Sequence, residues 1–84
     1  MKMKYYIYFL VSEKDGGIYI GRTKNIERRL KEHCYGLVAS TRSRRPLRLL
    51  GYEVCYHEAE SIRLEMEWKK SHKRAEIKQR YGLK

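Results

Sequence analysis

Apolar and polar positions along this chain change period several times, and each change marks an element. Residues 3–11 (MKYYIYFLV) are aromatic and β-branched, the composition of a strand. Alternation puts Tyr6, Tyr8 and Leu10 on one face and Tyr5, Ile7, Phe9 and Val11 on the other. Both faces carry apolar bulk, so the pattern predicts a central strand. SEKDGG (12–17) is turn chemistry, and IYIGR (18–22) is the returning strand of a hairpin. A glycine near the end of that strand, Gly21, leaves room for a backbone or a phosphate to approach.

The period then becomes helical. Thr23 or Asn25 can cap a helix whose first turn holds Glu27. Ile26, Leu30 and Cys34 recur at four-residue steps and predict its inward stripe, and Gly36 can end it. LVASTRSRRP (37–46) reads as a basic loop. LRLLGYEVCYH (47–57) predicts a third strand with a bulge at Gly51. AESIRLEMEWKK (59–70) predicts a helix with Ala59, Ile62 and Met66 on one face and Leu64 with Trp68 on another. A last helix, 72–81, ends at Gly82. The order β-β-α-β-α-α, with a short hairpin loop, implies an α+β fold: a three-stranded antiparallel sheet flanked by helices.

Composition narrows the class. At 84 residues the chain is one domain, 1–84, with a thin core. Leu, Ile, Val and Phe make up only about a fifth of it, and eight tyrosines supply the missing bulk. No apolar run approaches the ~18 residues of a membrane span. YYIYFLV (5–11) is too short and too rich in tyrosine for a secretory leader. Cys34 and Cys55 form no close-spaced motif, which implies two thiols packed as small core residues in a reducing, cytoplasmic compartment.

Charge points to a partner. The chain carries a net +10, with +7 over residues 22–50, −4 over 51–67 and +6 over 68–84. Two basic blocks around an acidic one are the footprint of a polyanion binder, with nucleic acid as its usual partner. Several polar residues also fall where core is expected. Tyr8 and Tyr19 lie on paired strands, and Arg29 and His33 stack four apart at the rim of a helix core. Glu65 occupies the angular gap between Ile62 and Trp68, where a carboxylate needs a partner or a cation. Taken singly these residues have ordinary roles, such as an ion pair from Glu65 to Lys69.

Together they match a pattern. The chain resembles the GIY-YIG endonuclease family over nearly its whole length, and most closely its small stand-alone members, which are similar to the N-terminal nuclease domain of the UvrC repair protein. Tyr19-Ile20-Gly21 is the second motif verbatim. Tyr6-Ile7-Tyr8 stands at the first, with Tyr6 replacing the family's glycine. Arg29 falls on the family's helix-borne arginine, His33 on its His or Tyr one turn later, and Glu65 on its metal-binding glutamate. STRSRRPLRLL (40–50) resembles the Thr-Arg-Ser loop of the small members. The asparagine that several members carry beyond the metal helix has no counterpart in IKQRYG.

The resemblance implies a DNA endonuclease that hydrolyses a phosphodiester with one divalent metal, Mg²⁺ or Mn²⁺, leaving a 5′ phosphate and a 3′ hydroxyl. It implies catalytic roles for Tyr8, Tyr19, Arg29, His33 and Glu65, with Glu65 on the metal. Tyr8, assisted by His33, is the favoured base, and Tyr19 remains the alternative. Gly21, Arg22, Lys24, Arg42, Arg44 and Arg45 would hold DNA through its phosphates, without reading bases. The rival reading is a non-catalytic nucleic-acid-binding or recruiting module on the same fold. Against it stands Glu65, which repels phosphate and has no use in a pure binder. Neither a membrane nor a defined protein partner is implied.

Overall fold

The protein is described from a computed structural model covering residues 3–83, so Met1, Lys2 and Lys84 of the 1–84 domain lie outside the described residues. Seven elements follow one another: β1 (Tyr5–Ser12), β2 (Ile18–Thr23), α1 (Ile26–Cys34), α2 (Ala39–Arg42), β3 (Leu47–Cys55), α3 (Glu58–Trp68) and α4 (Ser71–Arg80). The three strands form one antiparallel sheet in the order β2-β1-β3. The doubly apolar first strand is thus the central one, as its sequence predicts. Among the described residues, no helix is long and apolar enough to cross a membrane.

One face of the sheet carries the apolar core. Ile7, Phe9 and Val11 of β1 meet Ile18 and Ile20 of β2, and α3 and α4 close the layer with Trp68 and Ile77. The Phe9 and Trp68 rings lie 5.0 Å apart at 59°, a tilted aromatic contact. Lys73 and Arg80 of α4 cover the other side of the Trp68 ring at 5.0 and 5.3 Å. Part of the C-terminal basic block is therefore folded against the protein.

The β1–β3 ladder slips between Phe9 and Leu10, whose partners are Gly51 and Leu49. The bulge expected at Gly51 falls on its neighbour, Leu50, which turns into the core. Gly51 itself is required by a close approach, because a Cβ there would overlap the Tyr81 hydroxyl. Asn25 caps α1 by accepting from the Arg28 N–H at 3.1 Å, and Gly36 and Gly82 take positive φ after α1 and α4.

Three expectations need correction. The 37–46 segment is not all loop, because Ala39–Arg42 forms a single helical turn. One turn has no periodicity to read, and Val38 before it makes no side-chain cap. The stripe Ile26/Leu30/Cys34 is not the buried line of α1: His33 is its buried residue, and Cys34 is exposed. Only Cys55 is the core thiol expected of both. On α3, Ile62 and Met66 are exposed, and Ala59 with them, while Leu64 and Trp68 face the core. The two apolar stripes of α3 are equivalent by hydropathy, and the sheet covers only one.

These placements predict a sharp contrast. Trp68→Ala should cost about 3–5 kcal/mol in urea unfolding. Met66→Ala, on the exposed stripe, should change stability by less than about 0.5 kcal/mol.

Candidate active site

The second face of the sheet is built differently. Tyr8 lies opposite Gly21 in the β1–β2 register, and Leu10 lies opposite Tyr19. Residues paired in an antiparallel ladder point the same way, so Tyr8 and Tyr19 share this face. The α1 helix crosses it and presses His33 between the two phenols. The His33 ring centroid is 5.6 Å from that of Tyr8 and 5.1 Å from that of Tyr19. The phenol rings themselves are 6.2 Å apart.

Gly21 makes this possible. A Cβ at that position would overlap the Tyr8 ring and hydroxyl. The close approach expected at this glycine is therefore made by the protein's own phenol. Tyr8 and His33 are each only 1% exposed, and the Tyr8 hydroxyl sits 2.8 Å from His33 Nε2. The other ring nitrogen, Nδ1, is 2.8 Å from the Thr41 hydroxyl, which is also fully buried. A file of three buried polar groups thus runs from the sheet through α1 to the single turn of α2.

Arg29 sits one turn before His33, half-buried, and donates to Glu32 at 3.0 Å. Its interaction with the Tyr8 hydroxyl, together with the Glu32 carboxylate, pushes its own pKa upward. Desolvation dominates at Tyr8 and pushes the phenol up to about 12, although Arg29 pulls the other way. Burial, reinforced by the Arg29 charge, pushes His33 down to about 4. At neutral pH the cluster is a protonated phenol, a neutral imidazole and a guanidinium.

Glu65 stands elsewhere. Arg22 pairs with Ile7, so it points to the apolar face, where it lies 3.4 Å from the Ser61 hydroxyl and 3.6 Å from Glu65. Lys69 engages the other Glu65 oxygen at 3.2 Å, the pairing its spacing foreshadows. Four of the five predicted catalytic residues converge on one face, and Glu65 lies across β2 from them. Gly21 and Arg22, consecutive on that edge strand, connect the two halves.

The residues expected to hold DNA are also placed. Arg42 donates to the Gly36 carbonyl at 2.9 Å, and Arg45 donates to those of Arg42 and Cys34 at 3.0 and 3.3 Å. Both arginines tie the end of α1 to α2. Arg44 pairs with Asp15 at 3.3 Å and so latches the hairpin turn to the 43–46 segment. Lys24 hangs over the Tyr5 ring at 5.7 Å. Thr41 is the site residue that sequence reasoning missed. The only signal was the Thr-Arg-Ser string itself, which places no hydroxyl against His33.

Comparison with known proteins points to one family. The model of the GIY-YIG catalytic domain matches residues 4–81. A UPF0213 protein of Staphylococcus saprophyticus is 37% identical over 76 residues, which cover 89% of this chain and 92% of the relative. A UPF0213 protein of Halalkalibacterium halodurans is 40% identical over 68 residues, covering 80% of this chain and 71% of the relative. The solution NMR structure of the UPF0213 protein BH0048 from Bacillus halodurans superposes with a TM-score of 0.57 at 35% identity. That match covers 89% of this chain and 82% of that one.

Two outcomes test the cluster. Gly21→Ala should displace the Tyr8 phenol and cost about 1–3 kcal/mol, from the lost bond to His33 and the strain of overpacking. The pH dependence should be that of a histidine buried neutral. With the folded pKa near 4 and the ordinary value at 6.5, the unfolded chain binds the extra proton between them. Stability should therefore fall as pH drops from 6.5 toward 4, by roughly 3 kcal/mol in all. His33→Gln should flatten that window in denaturation curves taken across pH.

Proposed function

The chain belongs to the GIY-YIG catalytic domain family, a family of nuclease-type phosphodiester hydrolases, and we propose that it is a metal-dependent DNA endonuclease. The observation that carries the proposal is the cluster of buried Tyr8 and His33 with half-buried Tyr19 and Arg29. A binding module has no need to bury a phenol against an imidazole beside a guanidinium. Burying polar groups costs stability unless every partner is in place, so such a cluster is expected where chemistry requires it.

The roles follow from the environments. Arg29 offers a planar fork to the phosphoryl oxygens, where negative charge grows in the transition state. Burial speaks against the sequence-based preference for Tyr8 as the base. A phenol pushed up to about 12 is ionised in only about one molecule in 10⁵ at pH 7, and Tyr8 has almost no contact with water. Tyr19 is half-buried and lies on the same face, open to solvent. One phenol is sealed and the other reaches solvent, so the two take different roles. Tyr19, entering the step as its phenolate, accepts the proton of the attacking water, and Tyr8 stays protonated beneath it. Water attacks phosphorus, the bond to the 3′ oxygen breaks, that oxygen takes a proton from solvent, and a 5′ phosphate and a 3′ hydroxyl remain.

The metal fits as a hydrated ion. Among the described residues, no group of three or more His, Cys, Asp or Glu could cage one. Glu65 offers a single carboxylate, which suits Mg²⁺ or Mn²⁺ ions that keep most of their waters. Beside it, the buried Arg22 Nε faces Glu65 Oε1 at 3.6 Å, an ion pair too long for a hydrogen bond. Such an ion would supply Lewis-acid stabilisation of phosphoryl charge. Arg22 and Lys69 partly neutralise Glu65 already, so ion binding without DNA should be weak. Lys24, Arg42, Arg44 and Arg45 contribute basic potential along the DNA backbone.

DNA of varied form, including nicked, branched and single-stranded, should be cut with Mg²⁺ or Mn²⁺ and left intact with EDTA. Glu65→Gln and Arg29→Ala should each lower cleavage at least about 100-fold, a size typical of losing one transition-state contact. Glu65→Gln should bind DNA at least as well as the native protein, because it removes a charge that repels phosphate. Undiminished cutting by Glu65→Gln would refute the role given to the carboxylate. Binding without any metal-dependent cutting would favour the recruiting module.

A further inference from the structure

We propose that Thr41 is a positioning residue whose hydroxyl donates to Nδ1 of His33 and holds the ring in its Nε2–H form, so that the imidazole is a fixed donor to the Tyr8 oxygen. The relevance to catalysis rests on the nuclease reading above, whereas the tautomer itself does not.

The argument is one of counting protons in a buried file. Thr41 Oγ1 has a single proton and two places to send it. The first is His33 Nδ1, 2.8 Å away. The second is the Val38 carbonyl, at 3.5 Å, the outer limit of a hydrogen bond. That carbonyl already accepts the N–H groups of Thr41 and Arg42 at 3.1 and 3.0 Å. The short and uncrowded acceptor is Nδ1, so Nδ1 carries no hydrogen. A neutral imidazole then has its proton on Nε2, and Nε2 is 2.8 Å from the Tyr8 hydroxyl.

The direction of every later bond follows. Tyr8 accepts from His33, so its own proton is free to point toward Tyr19, whose ring lies on the same face with its centroid 6.2 Å away. The donors run Thr41 to His33 to Tyr8 to Tyr19, and each aims at the phenol of the pair that reaches solvent. Negative charge formed on Tyr19 would be met by a donor already oriented for it. The opposite tautomer would reverse the file. Tyr8 would then spend its proton on Nε2, and nothing beneath would face Tyr19. The groups facing His33 are Tyr8 from β1, Tyr19 from β2, Thr41 from α2, and Arg29 and Glu32 from its own helix. Burial, reinforced by the Arg29 charge, keeps the ring neutral, and Glu32 opposes it but is itself paired to Arg29.

Long-range ¹H–¹⁵N NMR of the His33 ring tests this directly, since the two neutral tautomers give distinct nitrogen shifts. The native protein should show the Nε2–H pattern from pH 5.5 to 8. Thr41→Ser keeps the hydroxyl and should keep both the pattern and the cleavage rate. Thr41→Val keeps the shape without the donor. It should give a mixture of tautomers and cleave about tenfold more slowly, the scale of one lost hydrogen bond. An Nδ1–H ring in the native protein overturns the proposal, as does an unchanged spectrum in Thr41→Val. A native protein with the expected ring that cuts no DNA would overturn the nuclease reading and uphold the role of Thr41.

Discussion

The hydrogen bond between the Tyr8 hydroxyl and His33 Nε2 is the contact on which the second face of this molecule depends. It joins the central strand to α1 inside the protein, where neither group reaches water. A lone phenol or imidazole in that place would cost stability, and the bond turns two liabilities into one fixed joint. Its geometry requires a glycine at position 21, because the phenol occupies the space of a side chain there. It also requires a partner for the far nitrogen of the ring, which Thr41 provides. Removing any one of these leaves another buried polar group unmatched.

The sheet therefore divides its labour by face. Ile7, Phe9 and Val11 form an ordinary apolar layer with Trp68 and Ile77, and that layer supplies most of the burial. Tyr8 and Tyr19, one residue out of phase with it, meet His33 and Arg29 instead. The rigid apolar face lets the polar face hold side chains within a few ångströms of one another, as a reactive site demands. Glu65 comes from the apolar side and reaches the edge strand through Arg22, so β2 separates it from the phenols.

Charge has a second use here besides attraction. Arg42 and Arg45 tie off the carbonyls that end α1, Arg44 latches the hairpin turn, and Lys73 and Arg80 cover Trp68. A basic loop that reads as a phosphate-binding arm is also the clasp that carries Thr41 to His33. Weakening these arginines would loosen the site as well as the electrostatic field.

The strand and helix order was determined by the chain itself, because Tyr5–Val11 is apolar on both faces and glycines stand at the ends of α1 and α4. The identity of four clustered residues was legible too, through the spacing of Tyr8, Tyr19, Arg29 and His33. Tertiary structure alone decided which of the two apolar stripes of α3 meets the sheet. It alone made His33 rather than Cys34 the buried residue of α1. Hydropathy ranks side chains by what they cost to bury in isolation, and His33 is buried because its two nitrogens are both matched by partners distant in sequence. The separation of Glu65 from the phenols and the contrast between a sealed Tyr8 and an open Tyr19 have the same origin. Each depends on what lies across the sheet, and a linear pattern carries no information about contacts that only folding creates.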